Sequence, residues 1–99
     1  MHVALRGELD LSTVGKVEEE LGRVEADGPP LMVLDLSRLT FLDSSGLRCV
    51  LTAAERAREQ ERRFVIVRGP DAVHRVFEIT RLDDRLDIVD DAPGAASGD

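Results

Sequence analysis

Two adjacent hydroxyls, Ser44 and Ser45, stand between Asp43 and Gly46, after an apolar run and before a helical pattern. Three kinds of chemistry suit such a group. Asp43, Ser44 or Ser45 can cap the helix, a side-chain oxygen accepting from a backbone N–H that has no partner inside the helix. A serine can instead act as a nucleophile, which needs a base within hydrogen-bond reach. His2 and His74 are the two histidines, and neither falls in an obvious strand-end loop. The glycine two residues before the serine that marks a nucleophile elbow is also missing. The third chemistry is phosphoacceptance. A phosphate on a serine at a helix start meets free N–H groups and the positive end of the helix dipole, so its helix survives the modification. The phosphate adds about 1.5–2 negative charges at neutral pH. It therefore alters the surface that a partner would touch and leaves folding alone.

Other chemistries find less support. No Gly-rich phosphate loop of either common pattern is present, and Lys16 is the single lysine. Asp83, Asp84, Asp87, Asp90 and Asp91 lack the spacing and the glycine of a calcium loop and read as a solvated acidic end. No cluster with metal-ligand spacing is visible. Cys49 is the only cysteine, so neither an internal disulfide nor a Cys-rich zinc site is available. The net charge of −7 disfavours contact with a phosphate backbone, and nucleic-acid binding is not expected. The apolar runs are far shorter than a membrane span and no leader pattern precedes the first strand, so the expectation is a cytoplasmic domain.

The elements that must position the serines follow from periodicity. From His2 to Leu9, Val3, Leu5 and Leu9 point one way and Ala4, Arg6 and Glu8 the other, as in a half-buried strand. Val14, Val17, Leu21 and Val24 then recur at helical spacing, with Ser12 or Thr13 as cap and Asp27-Gly28-Pro29-Pro30 as stop. Leu31 to Leu36 is apolar on both faces, like a central strand, and Asp35 and Ser37 fit its exit and a turn. A second helix places Leu47, Val50, Leu51 and Ala54 on one face. Phe64 to Arg68 reads as another buried strand. Gly69-Pro70 opens a third helix with Val73, Val76 and Phe77 inward, and Leu86 to Val89 is a last short strand. The order β-α-β-α-β-α-β predicts an α/β domain, one sheet with right-handed crossovers, in two layers or three. Residues 1–89 form the domain, and 90–99 an acidic, small-residue tail expected to be disordered.

The three blocks "GELD" (7–10), "DLSRLTFLDSSGL" (35–47) and "VHRVFEITRL" (73–82) occur in an order that resembles the STAS domain, and more narrowly the bacterial anti-sigma factor antagonists. The resemblance spans about residues 3–89. It implies a small mixed, mostly parallel sheet with helices mainly on one side. It also implies partner switching: the unphosphorylated antagonist binds an anti-sigma factor that is a serine kinase of the histidine-kinase-like ATPase fold, which frees a sigma factor. Phosphorylation of the motif then dissolves the complex, and a PP2C-type phosphatase restores it. The chain itself is then not an enzyme and holds no cofactor, since ATP and Mg²⁺ belong to the kinase.

Carried over by position, the resemblance makes Ser45 the phosphoacceptor, with Ser44 as fallback, Asp43 as positioning residue and Gly46 as a position left clear for the kinase or for packing. Glu8 and Asp10 fall in the partner-binding region, where capping is the other reading of Asp10. Arg48, three residues after Ser45, is expected to pair with the phosphate or to be a solvated arginine. The family usually has one more strand before "GEL", so an open sheet edge and self-association are further expectations. The alternative role is a STAS subunit of a transporter or of a stress-signalling assembly. It needs a stable docking face and no phosphorylatable serine.

Overall fold

The computed structural model describes residues 1–91, and the elements follow the expected order. They are β1 (His2–Leu9), α1 (Val14–Ala26), β2 (Leu31–Leu42), α2 (Ser44–Glu59), β3 (Arg63–Val67), α3 (Asp71–Ile79), a 3-10 turn (Leu82–Asp84) and β4 (Ile88–Val89). Of the expected tail, all but Asp90 and Asp91 lies outside the described residues. The sheet runs β1-β2-β3-β4, and every pair among the described strands is parallel. Register puts Val3 beside Leu34, Leu34 beside Ile66 and Ile66 beside Ile88, so these four share one face. Leu21 of α1, Val50 of α2 and Phe77 of α3 belong to the same buried cluster as Val3, Leu34 and Ile66. The helices thus cover that face, as right-handed crossovers taken in one direction require. Val33, Val65 and Val67 alternate to the opposite face and are buried as well, which accounts for strands that read as apolar throughout.

β2 does not end at Leu36. It continues to Leu42, and Asp35 and Ser37 lie inside it rather than at an exit. Its partners in β1 advance two residues from Ala4 to Arg6 while β2 advances three, from Asp35 to Arg38. Between Gly7 and Glu8 it again gains one residue, from Leu39 to Phe41. Two β-bulges therefore stretch the buried positions from every second residue (Met32, Leu34, Leu36) to every third (Leu39, Leu42). That change of period is why alternation loses the strand. Polar side chains settle the irregular backbone: Asp35 Oδ1 accepts from the Ser37 N–H at 2.9 Å, and the Thr40 hydroxyl donates to the Gly7 carbonyl at 3.0 Å. Asp35 Oδ2 also lies 3.3 Å from His2 Nε2. Burial pushes the Asp35 carboxyl up, but the bonds from Ser37 and His2 outweigh it and hold the group below the ordinary range.

α2 meets the sheet on a different face from the one its leucines suggest. Gly46, Cys49, Val50, Ala53 and Ala57 are buried, while Leu47, Leu51 and Ala54 are only half-buried. Small side chains occupy the line of closest approach because bulkier ones would hold the helix off the strands, and the leucines fill the flanks. A two-pronged ion pair ties α1 to α2, with Arg56 Nε and a terminal nitrogen each 2.9 Å from a Glu25 carboxylate oxygen. Among the described strands β1 and β4 are the edges of the sheet.

Candidate functional site

The two bulges deliver the end of β2 beside the end of β1, where the Asp43 N–H donates to the Leu9 carbonyl at 3.3 Å. Asp43 then caps α2. Its backbone is extended, and its Oδ1 accepts from the Gly46 N–H at 3.0 Å. Its other oxygen, Oδ2, accepts from the Leu11 N–H at 3.3 Å and so holds the β1–α1 loop against the start of α2. One carboxylate does the work that three residues were candidates for. The hydroxyls of Ser44 and Ser45 make no hydrogen bond among the described residues. Ser44 is exposed and Ser45 half-buried. Both face a groove between α1 and α2 that is also lined by Leu11, Glu18, Arg48 and Cys49.

Gly46 has a structural reason to be glycine. A Cβ there would overlap the Leu9 carbonyl oxygen and stand 2.7 Å from Leu42 Cδ1 and 2.8 Å from Leu9 Cγ. Of its two expected roles, packing is therefore the one the geometry displays. The α2 N-terminus sits against the β1 terminus as closely as backbone allows.

Neither Ser12 nor Thr13 caps α1 with its side chain, and Asp10 instead holds the turn that leads into the helix. Its Oδ1 accepts from the Ser12 hydroxyl at 2.7 Å, the Ser12 N–H at 3.0 Å and the Thr13 N–H at 3.2 Å. Thr13, the residue at the start of α1, spends its hydroxyl on the Glu8 carbonyl at 2.9 Å. A carboxylate is a stronger acceptor than a hydroxyl and reaches two N–H groups at once, which is why it wins. The Ser12 hydroxyl bond, with the N–H bonds behind it, lowers the Asp10 carboxyl from its ordinary value. Glu8 is exposed on β1 and aligned with Phe41. Arg48 is exposed on the groove and makes no ion pair among the described residues. Glu8, Asp10, Asp43, Ser44, Ser45 and Arg48 thus belong to one end of the molecule, where β1, β2 and α2 meet.

Two residues of that end escape sequence reasoning. Leu11 is 77% exposed and Phe41 49% exposed, and they flank the motif from the β1–α1 loop and from the end of β2. Phe41 sits where the alternation of β2 points outward, which is its only signal, and Leu11, in the loop before α1, carries none. The histidines are not partners of the serines among the described residues: His2 is bonded to Asp35, and His74 lies on α3. Cys49, 3% exposed, packs as a small core residue, and burial pushes its thiol up to about 11. At pH 8 about one molecule in a thousand then carries the thiolate. A disulfide reagent is expected to react with the native protein far more slowly than with the denatured chain. Equal rates would contradict the buried placement.

A family model described as "Mlab, STAS domain" matches residues 1–90. The Anti-sigma-F factor antagonist RsfB of Mycobacterium tuberculosis is 35% identical over 81 residues, covering 82% of this chain and 66% of that protein. This chain therefore spans just under two thirds of that relative's length. The Anti-sigma-B factor antagonist of Staphylococcus aureus is 30% identical over 86 residues, 87% of this chain and 80% of that one. Among solved structures, an anti-sigma factor antagonist from Mycobacterium paratuberculosis superposes with a TM-score of 0.86 at 32% identity, covering 98% of this chain and 82% of its own. The unphosphorylated form of the anti-sigma factor antagonist SpoIIAA shares the fold, with a TM-score of 0.72 at 21% identity over 98% of this chain and 84% of that one.

Proposed function

The chain belongs to the STAS domain family, and from that membership we propose that it works as an anti-sigma factor antagonist switched by phosphorylation. In its unphosphorylated form it docks on an anti-sigma factor with serine kinase activity and a histidine-kinase-like ATPase fold, and a sigma factor is released. Leu11 and Phe41 provide dry contact on either side of the motif, with Glu8, Asp10 and Arg48 at the rim. The kinase brings ATP and Mg²⁺, transfers a phosphoryl group to Ser45 (or to Ser44), and the complex separates. A PP2C-type phosphatase regenerates the binding form. The chain itself holds no cofactor and catalyses nothing, acts in the cytoplasm, and carries this function in residues 1–89, with 90–99 as a tail.

The observation that carries the reading is the division of labour at the start of α2. Asp43 caps the helix through the Gly46 N–H and needs neither serine hydroxyl for it, and the first turn contains no acidic residue. The serine hydroxyls are therefore available for transfer, and the positive helix end is available to a phosphate. Arg48, on the same groove, is the side chain that pairs with that phosphate.

The test is intact-mass analysis with phosphopeptide mapping of the protein isolated from its native cells. The expected result is one phosphate on residues 43–48, removable by a PP2C-type phosphatase, and absent in Ser45→Ala. A phosphate retained in Ser45→Ala and lost in Ser44→Ala would transfer the role to Ser44. No phosphate under any growth or stress condition would favour a constitutively docked STAS subunit of a transporter or signalling assembly, which needs the apolar contacts but not the hydroxyls.

A further inference from the structure

A grouping at the end of α3 is hidden from sequence spacing because the chain reverses inside it. His74 and Glu78 stand four residues apart on α3 and so share a face. Arg81 takes a left-handed backbone conformation, φ 62° and ψ 23°, and turns the chain into the segment Leu82–Asp84. That turn brings Asp83 back against the last turn of α3. A ring nitrogen of His74 and one carboxylate oxygen each from Glu78 and Asp83 lie within 4.8 Å of one another.

His74 supplies a second, separate observation. It is only 8% exposed, its ring stacks on Phe77 with centroids 6.4 Å apart, and no hydrogen bond reaches its ring nitrogens among the described residues. Packing fixes the imidazole while its ring nitrogens keep contact with solvent, so it stands ready as a ligand, and the two carboxylates next to it make a cation the fitting partner. We infer that His74, Glu78 and Asp83 form a site for a divalent metal ion of the zinc type, apart from the serine motif and independent of the switch proposed for it.

One imidazole and two carboxylates match the donor preference of Zn²⁺. Mg²⁺ and Ca²⁺ favour all-oxygen shells of six or more ligands and fit poorly. In a tetrahedral site with bonds near 2.1 Å, donor atoms stand about 3.4 Å apart. The three donors must therefore draw together by about an ångström, a change within reach of side-chain rotation at the exposed Glu78 and half-buried Asp83. Three protein ligands leave a fourth position for water or for an acidic side chain of a partner. Once bound, the ion would tie α3 to the following turn, so its affinity adds to the stability of the fold.

Thermal unfolding of the full chain, stripped with a chelator and titrated with ZnCl₂ or MgCl₂, tests the site, with stoichiometry read by calorimetry. Zn²⁺ is expected to bind one to one and to raise the melting temperature saturably, on the order of 10 °C at a hundredfold excess over Kd. Mg²⁺ should do neither. Glu78→Gln and Asp83→Asn keep side-chain volume at positions outside the core, so the metal-free melting temperature should stay put while the Zn²⁺ response disappears. No response in the unsubstituted chain would overturn the proposal. So would an equal response in both variants, which would mean Zn²⁺ binds elsewhere.

Discussion

Gly46→Ala is expected to destabilise the domain by about 1–3 kcal/mol, the usual range for over-packing a tight contact. For a domain of this size that is a fall in melting temperature of roughly 5–20 °C. The added methyl group meets the Leu9 carbonyl oxygen, which is backbone of β1, together with Leu9 Cγ and Leu42 Cδ1. None of these can swing aside as the tip of a long side chain would, so α2 has to move away from β1. That movement loosens the Asp43 bonds to Gly46 and Leu11, and the serines are displaced with them. Binding to an anti-sigma factor should therefore weaken along with stability. Gly22 provides the control: it lies in the interior of α1, and a Cβ there meets nothing within 4 Å. Gly22→Ala is expected to stabilise by about 1 kcal/mol through helix propensity alone. If thermal unfolding gives Gly46→Ala and Gly22→Ala the same sign, the close approach of α2 to β1 is not what Gly46 is there for.

Ser45→Asp is expected to separate binding from folding. A carboxylate in the first turn of α2 gains about 0.3–1 kcal/mol from the positive end of the helix dipole, and the Asp43 carboxylate at the N-cap offsets part of it, so stability should stay close to that of the unsubstituted chain. At a partner interface the same charge would be desolvated, and a partner that draws Arg48 into its own contacts leaves it without a counter-ion. An uncompensated buried charge costs about 3–5 kcal/mol, which corresponds to a loss of affinity on the order of a hundredfold or more. Ser45→Ala, which introduces no charge, should bind as the unsubstituted chain does. Calorimetry against an anti-sigma factor and a thermal melt of each variant provide the check. A large fall in melting temperature for both variants with unchanged binding would make Ser45 a structural residue.

Much of this is legible in the amino-acid sequence. The Val3-Leu5-Leu9 alternation, the Val14-Val17-Leu21-Val24 stripe and the double-faced Leu31–Leu36 run each produce the element they indicate, because enough of each period survives to mark it even where Gly7 breaks the first. The last six residues of β2 were not legible, since two bulges turn a two-residue period into a three-residue one at the point where it would have identified a strand. In α2 the leucines mislead because closeness to the sheet, not bulk, decides which residues are buried. At the site, the four-residue motif stands out by composition. The assignment of the cap to Asp43 alone depends on which oxygen meets which N–H, and that is a property of three dimensions. Leu11 and Phe41 become a pair only once the bulged β2 runs beside β1. His74 and Asp83 become neighbours only through the reversal at Arg81.

The most direct measurement is of the unphosphorylated chain in complex with an anti-sigma factor kinase from the same genome, followed before and after addition of ATP and Mg²⁺. The expected result is a stable complex that dissociates as one phosphate accumulates on residues 43–48, with no dissociation in Ser45→Ala. A complex that persists while the motif becomes phosphorylated, or that dissociates without phosphate on those residues, would contradict the switch.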